Sequence, residues 1–484
     1  MLGLVAIVSS LAADLFSAGP RGLQAAQLLV LEAGIALAVA GTLLKNTKPD
    51  RTIDASRAVI AASAWLAGFP NLGWFGGGLA VSYLAFFAGP MFLNSTMRME
   101  YFVGYLPDRS PIGNDLLVVT DLIRAWFSSG QSPYVEQFYP PFVYVSFAPL
   151  VLLEHADAYR LITLVTLACS AVCMLLAWLL AGRRKEGLMM LFLVTGLLSY
   201  GLQFELERGQ FNIIAMALVL ASIYVFHRLP RWRILAYALF TIAVQLKVYP
   251  AIFALMLIED WRDWKGSVKR LGGLAAVNAA MLLVAGPRLF VDFLGSVTQQ
   301  MLSPTMNFWN GNHSINAFVF GLTTYGYGVI PQAARAGWVQ AAPWIKAVLL
   351  AALAACFVMV IIRRGARTRG FNPFLLLACT MAALMVPISN DYKLALLAAP
   401  LALALAAVPE AGSLARRAVT AALLLLTGAA YGALLIPFKY KPFYLGNSFP
   451  LLLVILLSVT ALSLFTESAG ENTPGTSAAS SRTR

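Results

Sequence analysis

The chain has 484 residues, 60% of them apolar and only 12% charged, with 35 Lys and Arg against 22 Asp and Glu for a net charge of +13. Soluble domains carry about 25% charged and about 45–50% apolar residues, so a soluble globular protein is excluded. Apolar runs near the ~20 residues that cross a bilayer recur without alternation, which excludes a transmembrane β-barrel and predicts an all-α polytopic transmembrane helical bundle of about 12–13 crossings. The cations sit in short clusters between apolar runs and form no extended basic face, so the partners expected are membrane lipids and no nucleic acid. Cys169, Cys173, Cys356 and Cys379 lie inside apolar runs without metal-ligand spacing and read as small buried hydrophobes.

The first apolar run, 1–18, has no basic flank and is followed by a second at 23–44, so it reads as a transmembrane helix and not a cleaved leader. Cytoplasmic loops collect Lys and Arg. Lys45, Lys48, Arg51 and Arg57 therefore put the next loop inside, and 1–70 forms two extra N-terminal helices with a cytoplasmic loop. A helix over 72–93 exits to a long outer segment, 94–157, and 158–181 returns to Arg183, Arg184 and Lys185. The run 188–204 leads out to Glu205, Glu207, Arg208 and Gln210, and 211–226 returns to Arg228, Arg231 and Arg233. The stretch 234–258 reads as a hairpin of two half-helices turning at Lys247-Val248-Tyr249-Pro250, where proline breaks a helix and lysine seeks water. A helix over 271–289 exits to a second outer loop, 290–340, which closes the segment 71–340. The helix 341–362 ends at Arg363, Arg364 and Arg367. Further crossings through 465 turn near Ser389–Lys393, Arg416–Arg417 and Lys439–Asn447, and a polar tail covers 466–484.

This topology gathers the unusual polar groups on the outer side. Asn114 and Asp115 suit a helix cap and first turn, and Asp121 and Arg124 form an i, i+3 pair on an amphipathic surface helix. Glu205-Leu206-Glu207-Arg208-Gly209-Gln210, Lys247, the Asn310–Asn316 segment with His313, and Ser389-Asn390-Asp391-Tyr392-Lys393 complete the set. Carboxylate, guanidinium, ammonium, imidazole and amide groups on one membrane face are the inventory for a charged lipid headgroup meeting a polar substrate.

In order, Asn114-Asp115, Gly130-x-x-Pro133-Tyr134, Tyr139-Pro140-Pro141-Phe142, Gly209-Gln210-x-Asn212, Lys247-x-Tyr249-Pro250 and Gly311-Asn312-x-Ser314 resemble the C-type (GT-C) integral-membrane glycosyltransferases, most closely glycosyltransferase family 87. The chain departs from the pattern near Ser389, where a histidine-bearing loop is expected and Asn390-Asp391-Tyr392-Lys393 stands instead.

The resemblance implies a mannosyltransferase-like enzyme of the bacterial plasma membrane. It would move a hexose, mannose-like, from a polyprenyl-phosphate sugar donor to a lipid or glycan hydroxyl acceptor on the outer face, with inversion. An acceptor hydroxyl needs a base as the glycosidic bond breaks, and Asp115 holds the family's first-loop aspartate position. His313 is a second catalytic candidate. Lys247, with Arg208, would neutralise the lipid phosphate, while Gln210, Asn212, Asn312, Tyr139 and Tyr249 would hold substrate. This chemistry needs no cofactor and no metal site, although Asp115, Asp121 and Glu207 leave a divalent ion open. The alternative is a polytopic transporter or lipid-linked sugar flippase, which would place ionisable groups near mid-bilayer on several helices.

Overall fold

In a bilayer the backbone has only itself to bond with, and the described elements of the computed structural model are helical. The structure describes residues 64, 68, 70–88, 112–135, 138–183, 185–302, 311–326, 330–365, 370–386, 388–410, 412–437 and 447–465. The two helices expected before residue 64, the outer segment 94–111, the turn over 439–446 and the tail 466–484 lie outside the described residues.

In chain order the helices are α1 (Asn71–Tyr83), α2 (Asn114–Ser129), α3 (Pro141–Phe147), α4 (His155–Leu180), α5 (Glu186–Leu197), α6 (Tyr200–Arg208), α7 (Asn212–Arg228) and α8 (Arg233–Leu246). A 3-10 segment, Tyr249–Leu257, precedes α9 (Trp264–Met281), α10 (Pro287–Leu302), α11 (Ile315–Phe320) and α12 (Arg335–Gly365). Then come α13 (Pro373–Met385), a 3-10 segment Asp391–Leu397, α14 (Ala398–Ala406), α15 (Leu414–Leu434) and α16 (Phe449–Phe465). Among the described residues the one β-type contact is an antiparallel bridge between Asn312 and Asn390.

Within the described residues three stretches are long and apolar enough to cross a membrane alone: His155–Leu180, Gln332–Ile362 and Leu414–Leu434. The pair α5 and α6 joins them if taken as one span bent by 47°. Leu164 and Leu175 on α4, and Trp344, Val348 and Ile362 on α12, stand exposed, an apolar surface of the kind that faces lipid. α13 is the inner helix: Asn372 caps it by accepting from the N–H groups of Phe374 and Leu375 at 3.1 and 3.2 Å, and all of Phe374–Met385 is buried. α1 is seated on α15 through glycine, because a Cβ on Gly78 would lie 2.2 Å from the Leu425 carbonyl oxygen.

Several boundaries differ from those read in the sequence. The run 188–204 is not one helix; it breaks at Leu198–Ser199, where Ser199 caps α6 by accepting from Leu202 N–H. The expected helix 271–289 begins earlier, at Trp264, because Asp263 accepts from Gly266 N–H and starts it within the basic stretch. It stops at Met281 before Gly286, whose φ is +94°. The loop expected over 290–340 contains most of α10, all of α11 and the first turn of α12. The half-helix hairpin at 234–258 is present as α8 and the 3-10 segment, broken at Lys247–Val248.

Candidate active site

Pro250 has no N–H to bond the Leu246 carbonyl, and in a continuous helix its ring would clash with that carbonyl; α8 ends at Leu246 and Lys247 is extended, with φ −146° and ψ 137°. The break turns the ammonium inward. Lys247 is 7% exposed; its Nζ donates to Gln210 Oε1 at 2.7 Å and lies 4.1 Å and 4.3 Å from the ring centroids of Phe211 and Tyr139. A buried ammonium over two aromatic faces is held by their negative quadrupoles as well as by the amide.

Gln210 is placed by the end of α6. Gly209 caps that helix in the left-handed region, φ +65°, and a Cβ there would lie 2.9 Å from Leu116 Cβ and 3.3 Å from Gly113 Cα. Gly113, φ +76°, donates its N–H to the Glu207 carbonyl at 2.7 Å. Two glycines thus seat the first turn of α2 on the last turn of α6. The contact brings Asp115 to Arg208 and Gln210: Asp115 Oδ2 accepts from Gln210 Nε2 at 2.6 Å, and Asp115 Oδ1 lies 3.6 Å from Arg208 Nη1. Asp115 lies in the first turn of α2, as expected, and neither it nor Asn114 is the cap. Gly113 is the N-cap residue, without a side-chain cap bond, and the carboxylate is engaged across the helix junction.

Gln210 also donates from Nε2 to the Tyr139 hydroxyl at 3.1 Å, so both of its N–H groups and its carbonyl oxygen have partners. Its amide has only one workable orientation, because the reverse would set oxygen against Asp115 and N–H against the ammonium. Burial raises the Tyr139 phenol well above its usual value, with Tyr392 and Asp115 adding to the shift, so it stays protonated. The Asp115 side chain is 28% exposed and that of Arg208 23%, so a substrate can reach both, whereas Lys247 opens only to the interior.

That interior is a cavity of about 700 Å³. Ile252, Leu255, Leu350, Leu353, Phe357 and Val386 form much of its apolar wall, and Tyr139, Lys247, Tyr249, Asn390, Tyr392 and Lys393 its polar part. The polar groups are contiguous: Lys393 Nζ is 5.1 Å from the Tyr249 ring centroid, and Asn390 Nδ2 donates to the Tyr392 hydroxyl at 2.8 Å. Val358 of α12 also lines the cavity and is 51% exposed, which connects the cavity wall to the lipid-facing side of that helix.

Asp115, Arg208, Gln210, Tyr139 and Lys247 come together as one connected set. Tyr249 lines the cavity and donates to the Asn212 carbonyl at 3.2 Å, while Asn212 itself is buried at the start of α7. Beside it Glu205, fully buried, accepts from Ile213 N–H at 2.8 Å. Asp121 and Arg124 pair at 2.8 Å on the exposed side of α2, as their spacing predicts.

His313 and Asn312 are placed elsewhere. Asn312 Oδ1 accepts from the N–H groups of Ser314 and Ser389, both at 3.1 Å, so the amide braces two loops. His313 is fully buried; its Nδ1 accepts from Ser448 N–H at 2.9 Å, and its Nε2 faces the Asp391 carboxylate. With both nitrogens engaged away from the cavity wall, His313 is not placed to take a proton from substrate.

Lys393, Tyr392 and Asn390 are the cavity residues that sequence reasoning did not select. Their signal is the polar run Asn390-Asp391-Tyr392-Lys393 between two apolar stretches, which has no counterpart in the motifs that carry the family resemblance. Among the described residues no three of His, Cys, Asp and Glu converge.

Fold and site together define a helical integral-membrane protein in which an apolar cavity ends on ammonium groups one amide away from an accessible carboxylate. The family model of glycosyltransferase family 87 matches residues 138–387, more than half of the chain, and the chain belongs to that family. It is thereby a glycosyltransferase, with a sugar donor and an acceptor. No curated protein and no solved structure matches it. Asp115 lies before the matched stretch and is tied to it through Gln210 and Arg208.

Proposed function

We propose that this enzyme transfers a hexose, mannose-like, from a polyprenyl-phosphate sugar to a lipid or glycan hydroxyl, with inversion, at the outer face of a bacterial plasma membrane. One observation carries the reading: a cavity of about 700 Å³, apolar over most of its wall, ends on the Lys247 ammonium, which a single glutamine amide separates from Asp115. An isoprenoid chain needs an apolar groove open toward lipid, its phosphate needs a cation, and the acceptor needs a base beside the anomeric carbon.

In this mechanism Asp115 accepts the acceptor's hydroxyl proton as the acceptor oxygen bonds to the anomeric carbon. The bond from that carbon to the phosphate oxygen breaks, and its electron pair leaves with the lipid phosphate against Lys247. Tyr139 holds a hydroxyl group of the sugar, Gln210 keeps Lys247 and Asp115 apart, and Arg208 holds Asp115 in place. The basic clusters at Arg183, Arg228–Arg233 and Arg262–Arg270 support an inward placing of the opposite helix ends.

The test is transfer by the purified protein in lipid nanodiscs, with radiolabelled polyprenyl-phosphate mannose as donor and a glycolipid extract as acceptor. Labelled product with an anomeric configuration opposite to the donor's supports the reading. A retained configuration, or absence of transfer from every polyprenyl-phosphate hexose offered, overturns it.

A further inference from the structure

His313 and Asp391, both buried, and the half-buried Tyr200 form a chain that the proposed reaction does not use. Ser448 N–H donates to His313 Nδ1 at 2.9 Å, which leaves the ring proton on Nε2, facing Asp391 Oδ1. The Tyr200 hydroxyl donates to Asp391 Oδ2 at 3.0 Å. Asp391 is 1% exposed, so these two partners stand where water would otherwise meet its carboxylate. Around them the loops are laced: His313 N–H donates to the Ser389 carbonyl at 2.6 Å, and Asn447 Nδ2 to the Asn312 carbonyl at 2.6 Å. The held segment does not end at Asp391. Lys393 N–H donates to the Asn390 carbonyl at 2.9 Å, its Nζ donates to the Ile388 carbonyl, and it reaches the cavity over the Tyr249 ring.

We propose that His313 is a positioning residue. Through Asp391 and Tyr200 it locks the Asn390–Lys393 segment so that the Lys393 ammonium faces the leaving phosphate together with Lys247. The inference rests on the lipid-phosphate donor reading and adds a second cation and the device that aims it.

The charges say when Lys393 matters. A polyprenyl-phosphate sugar is a phosphodiester with one negative charge, and the lipid phosphate that leaves carries a second once the glycosidic bond breaks. One ammonium matches the ground state. The second meets charge that appears only as the bond breaks, so it lowers the barrier more than it tightens donor binding. Its value depends on placement, because a displaced cation also loses the low-dielectric setting that makes it effective.

The experiment is a double-mutant cycle on the full-length enzyme in nanodiscs. Lys393→Met is expected to lower kcat by about 100-fold, with the donor KM changed by less than about threefold. Tyr200→Phe, which loosens Asp391 while keeping the ring, is expected to lower kcat by about tenfold, and His313→Ala by nearly as much as Lys393→Met. Each combined with Lys393→Met should be no worse than Lys393→Met alone, the non-additivity of residues acting through one group. Additive losses, or His313→Ala at wild-type rate, overturn the proposal. If His313→Ala fails to fold, Tyr200→Phe and Asp391→Asn complete the same cycle. Binding of polyprenyl phosphate alone separates this inference from the reaction reading, because it needs no turnover. Weaker binding in both Lys393→Met and Tyr200→Phe supports the latch even if the donor sugar is another, and unchanged binding in both overturns it.

Discussion

The Lys247 ammonium and the Asp115 carboxylate are joined through one side chain: Gln210 accepts from Lys247 at 2.7 Å and donates to Asp115 at 2.6 Å. In the proposed mechanism the amide keeps the two opposite charges from collapsing into a direct ion pair, in which the proposed base would be occupied by the cation proposed to meet phosphate. Gln210→Leu removes the spacer and leaves a buried ammonium without its acceptor. The expected result is a kcat lower by about 100-fold, and Gln210→Glu should be no better, since a carboxylate there faces Asp115 and neutralises Lys247. Steady-state transfer by the two variants, at matched thermal stability, checks this.

Asp115 is the base candidate, and its replacement separates chemistry from binding. Asp115→Asn preserves shape but accepts no proton. The expected outcome is a kcat lower by about 10²–10⁴-fold with the donor KM little changed. Wild-type turnover in Asp115→Asn would remove it from the mechanism.

Much of this site was legible in the sequence, and the reason is local. Pro250 forces a helix break beside a lysine, and Gly209 marks a helix end beside Arg208 and Gln210, so these short motifs carry their own geometry. The joining of Asp115 to Gln210 was not local, because it depends on Gly113 and Gly209 meeting across 96 positions of chain. His313 shows the opposite failure. A histidine among amides in a polar loop resembles a base, but its environment is set by Asp391 and Ser448, which lie 78 and 135 positions on. Helix boundaries misread at 188–204 and 271–289 share a cause: a capping side chain, Ser199 or Asp263, starts a helix where hydropathy alone sees none.

The glycine junction makes a stability prediction. Gly209→Ala puts a Cβ 2.9 Å from Leu116 Cβ on a residue with φ +65°. A non-glycine residue held in that region costs about 1–3 kcal/mol, and relief would come by lifting α2 off α6. A lower melting temperature is expected, together with a fall in kcat larger than the melting shift accounts for, because Asp115 moves with α2. Thermal unfolding and transfer rates measured on the same preparation test the coupling.

Phosphate neutralisation by side chains predicts metal independence. Lys247 is the cation proposed to meet the leaving phosphate, so treatment with EDTA should leave the transfer rate unchanged. Lys247→Met should lower kcat over donor KM by at least tenfold, and added magnesium should not restore it. Loss of activity on chelation, recovered by a divalent ion, would assign part of the phosphate binding to a metal.

The sidedness of the site is tested independently of catalysis. Arg262, Lys265, Lys269 and Arg270 cluster around the start of α9, the kind of basic stretch retained on the cytoplasmic side. Gln131, exposed just beyond α2, belongs to the segment that carries Asp115. In intact cells a membrane-impermeant maleimide is expected to label Gln131→Cys and not Lys265→Cys, while permeabilised cells label both. Of the native cysteines Cys173, Cys356 and Cys379 are buried, whereas Cys169 is only half-buried, within the apolar span of α4, so a Cys169→Ser background is used. The reverse pattern would put Asp115 and the cavity mouth on the cytoplasmic side, where the reaction would have to draw on a donor whose sugar faces inward.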